Sequence, residues 1–182
     1  MISGGGRRGD ADRRPVAAAR DVPAEDRGMT VETVRAWLAE HAPDLRLIEQ
    51  AASTATVMEA AATLGVEPGR IAKTLALRVG EEVALVVARG DARLDNPKIK
   101  AAFGGRASML GAEEAEALTG HPVGGVCPFG LATPLPVYCD VSIRGFATVF
   151  PAAGSRTASL EVAPERLAAL VSQRWVDVCK SG

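Results

Sequence analysis

The sequence predicts an α/β domain in which helices flank a mixed sheet, and three observations carry that expectation. Helix-like and strand-like segments alternate irregularly, joined by hairpins rather than by repeated βαβ units. Two β-rich runs, 71–79 (IAKTLALRV) and 83–88 (VALVVA), flank Gly80-Glu81-Glu82 and read as a hairpin at the centre of the sheet. Hydrophobic residues make up 47% of the chain and aromatics only 4%, so the core is built from small aliphatic side chains. At 182 residues the chain suffices for one domain with a sizeable core plus a tail.

Residues 1–28 read as a disordered tail and 29–182 as the domain. The tail holds six arginines, five acids and five glycines, with too little apolar surface to offset the entropy of ordering. After Thr30, a candidate N-cap, Val31, Val34, Trp37 and Leu38 fall at helical spacing to about His41. Pro43 ends that helix, and Leu45, Leu47 and Glu49 alternate as a short strand. Ser53 or Thr54 caps a second helix, with Val57, Ala60, Ala61 and Leu64 on one face and Gly65 as its stop. Pro68-Gly69 then turns the chain into the hairpin. Asp95 or Asn96 caps a helix to about Phe103, with Pro97 at its first position. Residues 107–110 form a strand, and Gly111 leads into AEEAEAL, a helix whose acids suit its N-terminal dipole. Residues 137–139 form a strand ending in Asp140, 147–150 and 159–162 form two more, and 152–156 is a small-residue turn between them. Pro164 opens the last helix, to about Ser172, and 175–178 closes the chain as a strand. No internal repeat is present.

Composition excludes several functions. A net charge of −1 argues against a surface that covers long stretches of nucleic-acid backbone, while leaving room for one that grips an RNA end. No apolar run reaches the ~18 residues of a membrane helix, and the polar N-terminus shows no secretory signal. Three widely spaced cysteines, Cys127, Cys139 and Cys179, fit a reduced, cytoplasmic protein. Cys127, Cys139 and His121 match no compact zinc spacing. Walker, dinucleotide and nucleophile-elbow motifs are absent. Cys127 reads as a buried small hydrophobe in preference to a thiolate nucleophile, because no base accompanies it.

Two features remain. Residues 119–130 hold four glycines and two prolines in twelve positions, which rules out regular helix or central strand. Such a loop is either a nest of backbone amides for an oxyanion or a tight helix-to-strand connection. Lys73 is the odd member of the apolar face Ile71, Lys73, Leu75, Leu77, and either snorkels from a strand end or borders a binding cleft. Together these suit hydrolysis of an activated ester, which needs a placed water, an oxyanion site and a positioned substrate.

At these residues the chain resembles the YbaK/EbsC family of trans-editing aminoacyl-tRNA deacylases, related to the editing insertion domain of bacterial prolyl-tRNA synthetase. The likeness is carried by Ile71-Ala72-Lys73-Thr74-Leu75, Arg93-Leu94-Asp95, the 119–130 block with its Gly124-to-Pro128 spacing, Pro134-Leu135-Pro136, Asp140 and Ala153-Gly154-Ser155. It runs from about Met29 to Lys180. The resemblance implies a mixed, partly barrel-like sheet surrounded by helices, acting on mischarged tRNA without cofactor or metal. Hydrolysis would be assisted by the terminal ribose hydroxyl. By the same resemblance Lys73, Gly124 and Gly125 are the catalytic candidates: the lysine for the 3′-terminal adenosine region, the loop backbone for the ester. Thr74, Val126, Cys127, Pro128, Asp140, Gly154 and Ser155 would bind substrate. The expected substrate is tRNA for proline carrying Ala, Cys, Ser or Thr, with prolyl-tRNA synthetase as a candidate partner and no membrane. Many relatives carry serine where this chain has Ala152, and some carry histidine where it has Leu131, which bears on amino-acid preference. The alternative is a non-catalytic module that binds the acceptor end or a synthetase.

Overall fold

The centre of the molecule is the antiparallel hairpin of β2 (Ile71–Val79) and β3 (Glu82–Arg89), in register from Ala72↔Arg89 to Val79↔Glu82. The computed structural model describes residues 24–181. β-Branched and leucine side chains favour the extended backbone, and Gly80 at φ 62° closes the turn between the strands. β4 (Ala107–Met109) pairs antiparallel with the far end of β2, whereas β5 (Val137–Asp140) lies parallel to β3 and β8 (Trp175–Val176) parallel to β5. β6 (Phe150–Pro151) runs parallel to the start of β2. The bridges Val149↔Val162 and Ala152↔Ser159 carry the strand path on to β7 (Ala158–Leu160), which pairs with β1 (Leu47–Glu49). The sheet is mixed, as expected from sequence.

One edge of β2 is interrupted. β6 pairs with Ile71 and Ala72, and β4 with Leu77 to Val79, so no strand among the described residues covers residues 73–75 on that side. The Leu110 N–H donates to Ala76 O at 3.0 Å, and alternation turns the Thr74 N–H and C=O to the same edge.

Helices cover the sheet. α1 (Ala24–His41) sends Val31, Val34 and Leu38 into the main core with Leu85, Val87, Phe129 and Leu167. α3 (Asn96–Phe103) places Ile99 against Leu77 and Val86 in a second cluster. α2 (Val57–Leu64), α4 (Ala112–Thr119) and α5 (Pro164–Val171) complete the layer.

Several boundaries differ from expectation. α1 begins six residues ahead of Thr30, so Thr30 is no cap; its hydroxyl donates to Gly154 O at 2.5 Å. Apolar periodicity starts only at Val31, so the earlier turn had no pattern to show it. The remainder of the expected tail, residues 1–23, lies outside the described residues. α2 is capped by Thr56, which accepts from Glu59 N, rather than by Ser53 or Thr54, because Thr54 is held by Arg156 O. The strands around 147–151, 158–162 and 175–178 are shorter, partly reduced to single bridges. Of the two cap candidates for α3, Asp95 is the cap, and the Gly65 stop stands as read, while Gly120 ends α4 without having been singled out as its stop.

Candidate functional site

A cavity of about 340 Å³ opens beside the uncovered edge of β2, between that strand, α2 and the glycine loop. Its wall is largely apolar, with Ala72, Ala76, Ala115, Val126, Phe150 and Ala152 among the lining residues. Lys73, Thr74, Gly124 and Val126 are the sequence candidates that it brings together.

The glycines explain the shape of the wall. Gly124 adopts φ 87°, and a Cβ there would meet Ala55 Cβ at 2.8 Å. Only glycine allows that backbone and that approach. Gly125 donates to Pro122 O at 2.8 Å and accepts from Gly154 N at 3.1 Å. A Cβ on Gly125 would stand 2.7 Å from Ser155 N and Cα, so the two small-residue turns pack backbone to backbone. Arg156 joins three loops: its Nε donates to Val123 O at 2.8 Å, and its carbonyl accepts from the Thr54 N–H at 2.6 Å.

This network decides which amides are free. The Gly125 N–H is spent inside the loop, while those of Gly124 and Val126 form no hydrogen bond among the described residues. Gly125, Gly154 and Ser155 therefore stand behind the cavity wall rather than on it. Ser155 Oγ is occupied in a local turn with Thr157.

Lys73 is half-buried and donates through Nζ to Ala92 O at 2.5 Å. Burial holds its ammonium below the usual lysine range, against the attraction of the Cys179 and Asp91 side chains. Its strand position lines the apolar cavity, while Ala92 lines a second one, so the lysine bridges the two.

Cys127 and Pro128 do not line the site. Cys127 is fully buried, and burial pushes its thiol up to about 12. Its Sγ lies 3.5 Å from His121 Nε2, but that nitrogen is 2.7 Å from Phe129 O and is committed to the carbonyl. Burial lowers the His121 pKa, keeping the ring neutral and leaving Cys127 without a base. Asp140 is also elsewhere. Fully buried, it accepts from Ser142 N at 2.9 Å and Val178 N at 2.7 Å, on the wall of the second cavity. Among the described residues no group of three or more His, Cys, Asp or Glu is placed to hold a metal ion, and no helix is long and apolar enough to cross a membrane.

Two contributors escaped the sequence reading. Ala55 supports Gly124, with no chemical signal of its own. Ser159 lines the cavity between the core residues Ala158 and Leu160. Strand alternation could have picked it out as the polar residue on the opposite face.

Residues 51–170 match the sequence model described as the aminoacyl-tRNA editing domain. YwhH of Bacillus subtilis (strain 168) is 46% identical over 154 residues, which cover 84% of this chain and 98% of YwhH. The Enterococcus faecalis protein named "Putative Cys-tRNA(Pro)/Cys-tRNA(Cys) deacylase EbsC" is 34% identical over 121 residues, 65% of this chain and 73% of that one. A solved structure titled "Crystal structure of a putative trans-editing enzyme for prolyl tRNA synthetase" superposes with a TM-score of 0.77 at 34% identity, over 84% of this chain and 98% of that one.

Proposed function

The chain belongs to the aminoacyl-tRNA editing domain family, and from that premise we propose that it removes a wrongly attached small amino acid from tRNA for proline by hydrolysing the aminoacyl ester. The observation that carries this reading is the cavity. It is a small, apolar-walled space whose polar features include one lysine, four hydroxyl-bearing residues, an open strand edge and a loop with two amides unengaged among the described residues.

The ester carbonyl points at the N–H groups of Gly124 and Val126, which stabilise the oxyanion as water adds to the carbonyl carbon. The bond from acyl carbon to ribose oxygen then breaks. That oxygen takes the proton the water gives up, leaving a free amino acid and a terminal hydroxyl on the tRNA. The neighbouring ribose hydroxyl orients the water, so no side-chain nucleophile and no metal takes part. Lys73 exchanges Ala92 O for an oxygen of the terminal nucleotide and fixes the ester in the cavity. The volume suits Ala, Cys, Ser or Thr. A synthetase pocket separates such neighbours by only about 1–3 kcal/mol, which is why a second, hydrolytic sieve is needed. Prolyl-tRNA synthetase is the fitting partner to supply the tRNA, and the cytoplasm the place of action.

The test is deacylation of tRNA for proline charged separately with these four amino acids. Wild type releases at least one of them catalytically, and Lys73→Ala slows that release about 100-fold while keeping the fold. A wild-type rate in the variant refutes the role given to Lys73. Binding of charged tRNA with no release of any of the four indicates a non-catalytic acceptor-end module instead.

A further inference from the structure

Four hydroxyl-bearing residues line the apolar cavity, and they fall into two kinds. Thr54 Oγ1 donates to Arg156 O at 3.0 Å, and Thr56 Oγ1 accepts the Glu59 N–H at 3.1 Å, so both are spent on the backbone. Thr74 Oγ1 and Ser159 Oγ are shielded from solvent and have no hydrogen-bond partner among the described residues. Ser159 is only 3% exposed. Its strand neighbours Ala158 and Leu160 point into the core, which turns its hydroxyl to the cavity side. Thr74 shares its strand face with Ala72 and Ala76, which line the same space.

A buried hydroxyl without a partner is costly, and folded proteins retain few of them. Two in one small cavity point to a ligand that completes both. We infer that Thr74 and Ser159 read a hydroxyl on the aminoacyl side chain, so that the preferred substrates are the β-hydroxy amino acids serine and threonine rather than alanine. The inference rests on the deacylase reading above. A single hydroxyl can donate to one partner and accept from the other, satisfying both at once. The methyl group of alanine satisfies neither. A site built around a substrate hydroxyl rejects the analogue lacking it far more strongly than an apolar pocket separates methylenes. A cysteine thiol, a weak donor and acceptor, falls between the two.

The experiment compares kcat/KM for Ser-, Thr- and Ala-esters of tRNA for proline, using the full chain, Thr74→Val, Ser159→Ala and Thr74→Ser. In wild type the seryl or threonyl ester is hydrolysed at least about tenfold faster than the alanyl ester. Thr74→Val and Ser159→Ala bring that ratio towards one, and Thr74→Ser, which keeps the hydroxyl, restores it. A merely structural role would lower all esters together and leave the ratio unchanged, which overturns the inference. So does a wild-type preference for alanine that depends on Lys73, and in that case the deacylase reading survives. Failure to release any amino acid overturns both.

Discussion

Lys73 lines one cavity and bonds a carbonyl on the wall of another, and the two cavities differ less in size than in what their polar groups are doing. The second is larger, about 740 Å³, and far more charged. Yet most of its charges are engaged, Arg93 and Lys180 apart. Arg89 Nε lies 2.5 Å from Asp91, Lys98 Nζ reaches Asp177 at 2.8 Å and Cys179 O at 2.9 Å, and Asp140 clamps two backbone amides. Among the described residues, the smaller one carries two hydroxyls without partners, two free amides and an uncovered strand edge. A satisfied polar network holds a fold together, whereas an unsatisfied one is kept for something that arrives. Volume and charge alone would have pointed to the second cavity.

Substitutions should separate the two. The largest loss of stability is expected from Asp140→Ala, which leaves the buried Val178 N–H and the part-buried Ser142 N–H unpaired. Denaturant unfolding should show a loss of about 3 kcal/mol, with the Ser/Ala preference of the surviving enzyme intact. A changed preference would tie the second cavity to amino-acid choice and break the comparison. Gly125→Ala comes next. Its Cβ meets the backbone of Ser155, so the two turns must part, and a loss of about 2 kcal/mol together with a fall in deacylation is expected. Normal activity there would mean that the spacing of the turns does not shape the site. The smallest effect has the opposite sign. Thr74→Val removes an unpaired hydroxyl and should raise stability by roughly 0.5–1 kcal/mol while damaging selection. Thermal unfolding would detect it, and a loss of stability would show that the hydroxyl has a partner in solution.

How much of this was legible in the sequence follows from the range of the forces involved. The hairpin, the cap at Asp95 or Asn96 and the Gly65 helix stop are set by near neighbours and were readable from spacing. The resemblance, with its lysine on an apolar strand and its glycine-rich loop, named Lys73, Thr74, Gly124 and Val126, which the fold gathers around one space. Much of what escaped depends on partners far along the chain. Thr54 looked like a cap, but Arg156, 102 residues away, takes its hydroxyl. Asp140 is drawn off by Val178, 38 residues further on, a contact that no local pattern encodes, whereas the burial of Cys127 was readable from its lack of a base. Gly125 had the right composition for an oxyanion nest, but the Pro122 carbonyl claimed its amide.

The interruption in β2 has a consequence for how the protein coexists with its own copies. An uncovered strand edge is ordinarily a template on which another chain can add, the first step of edge-to-edge aggregation. Here the bare stretch is three residues, shorter than the ~5–6 residues of a typical strand, and β6 and β4 block it at either end. A foreign strand cannot lie down in such a slot, but a single extended group can reach into it. The chain thus keeps backbone donors and acceptors open to a small guest without exposing the sheet to its neighbours.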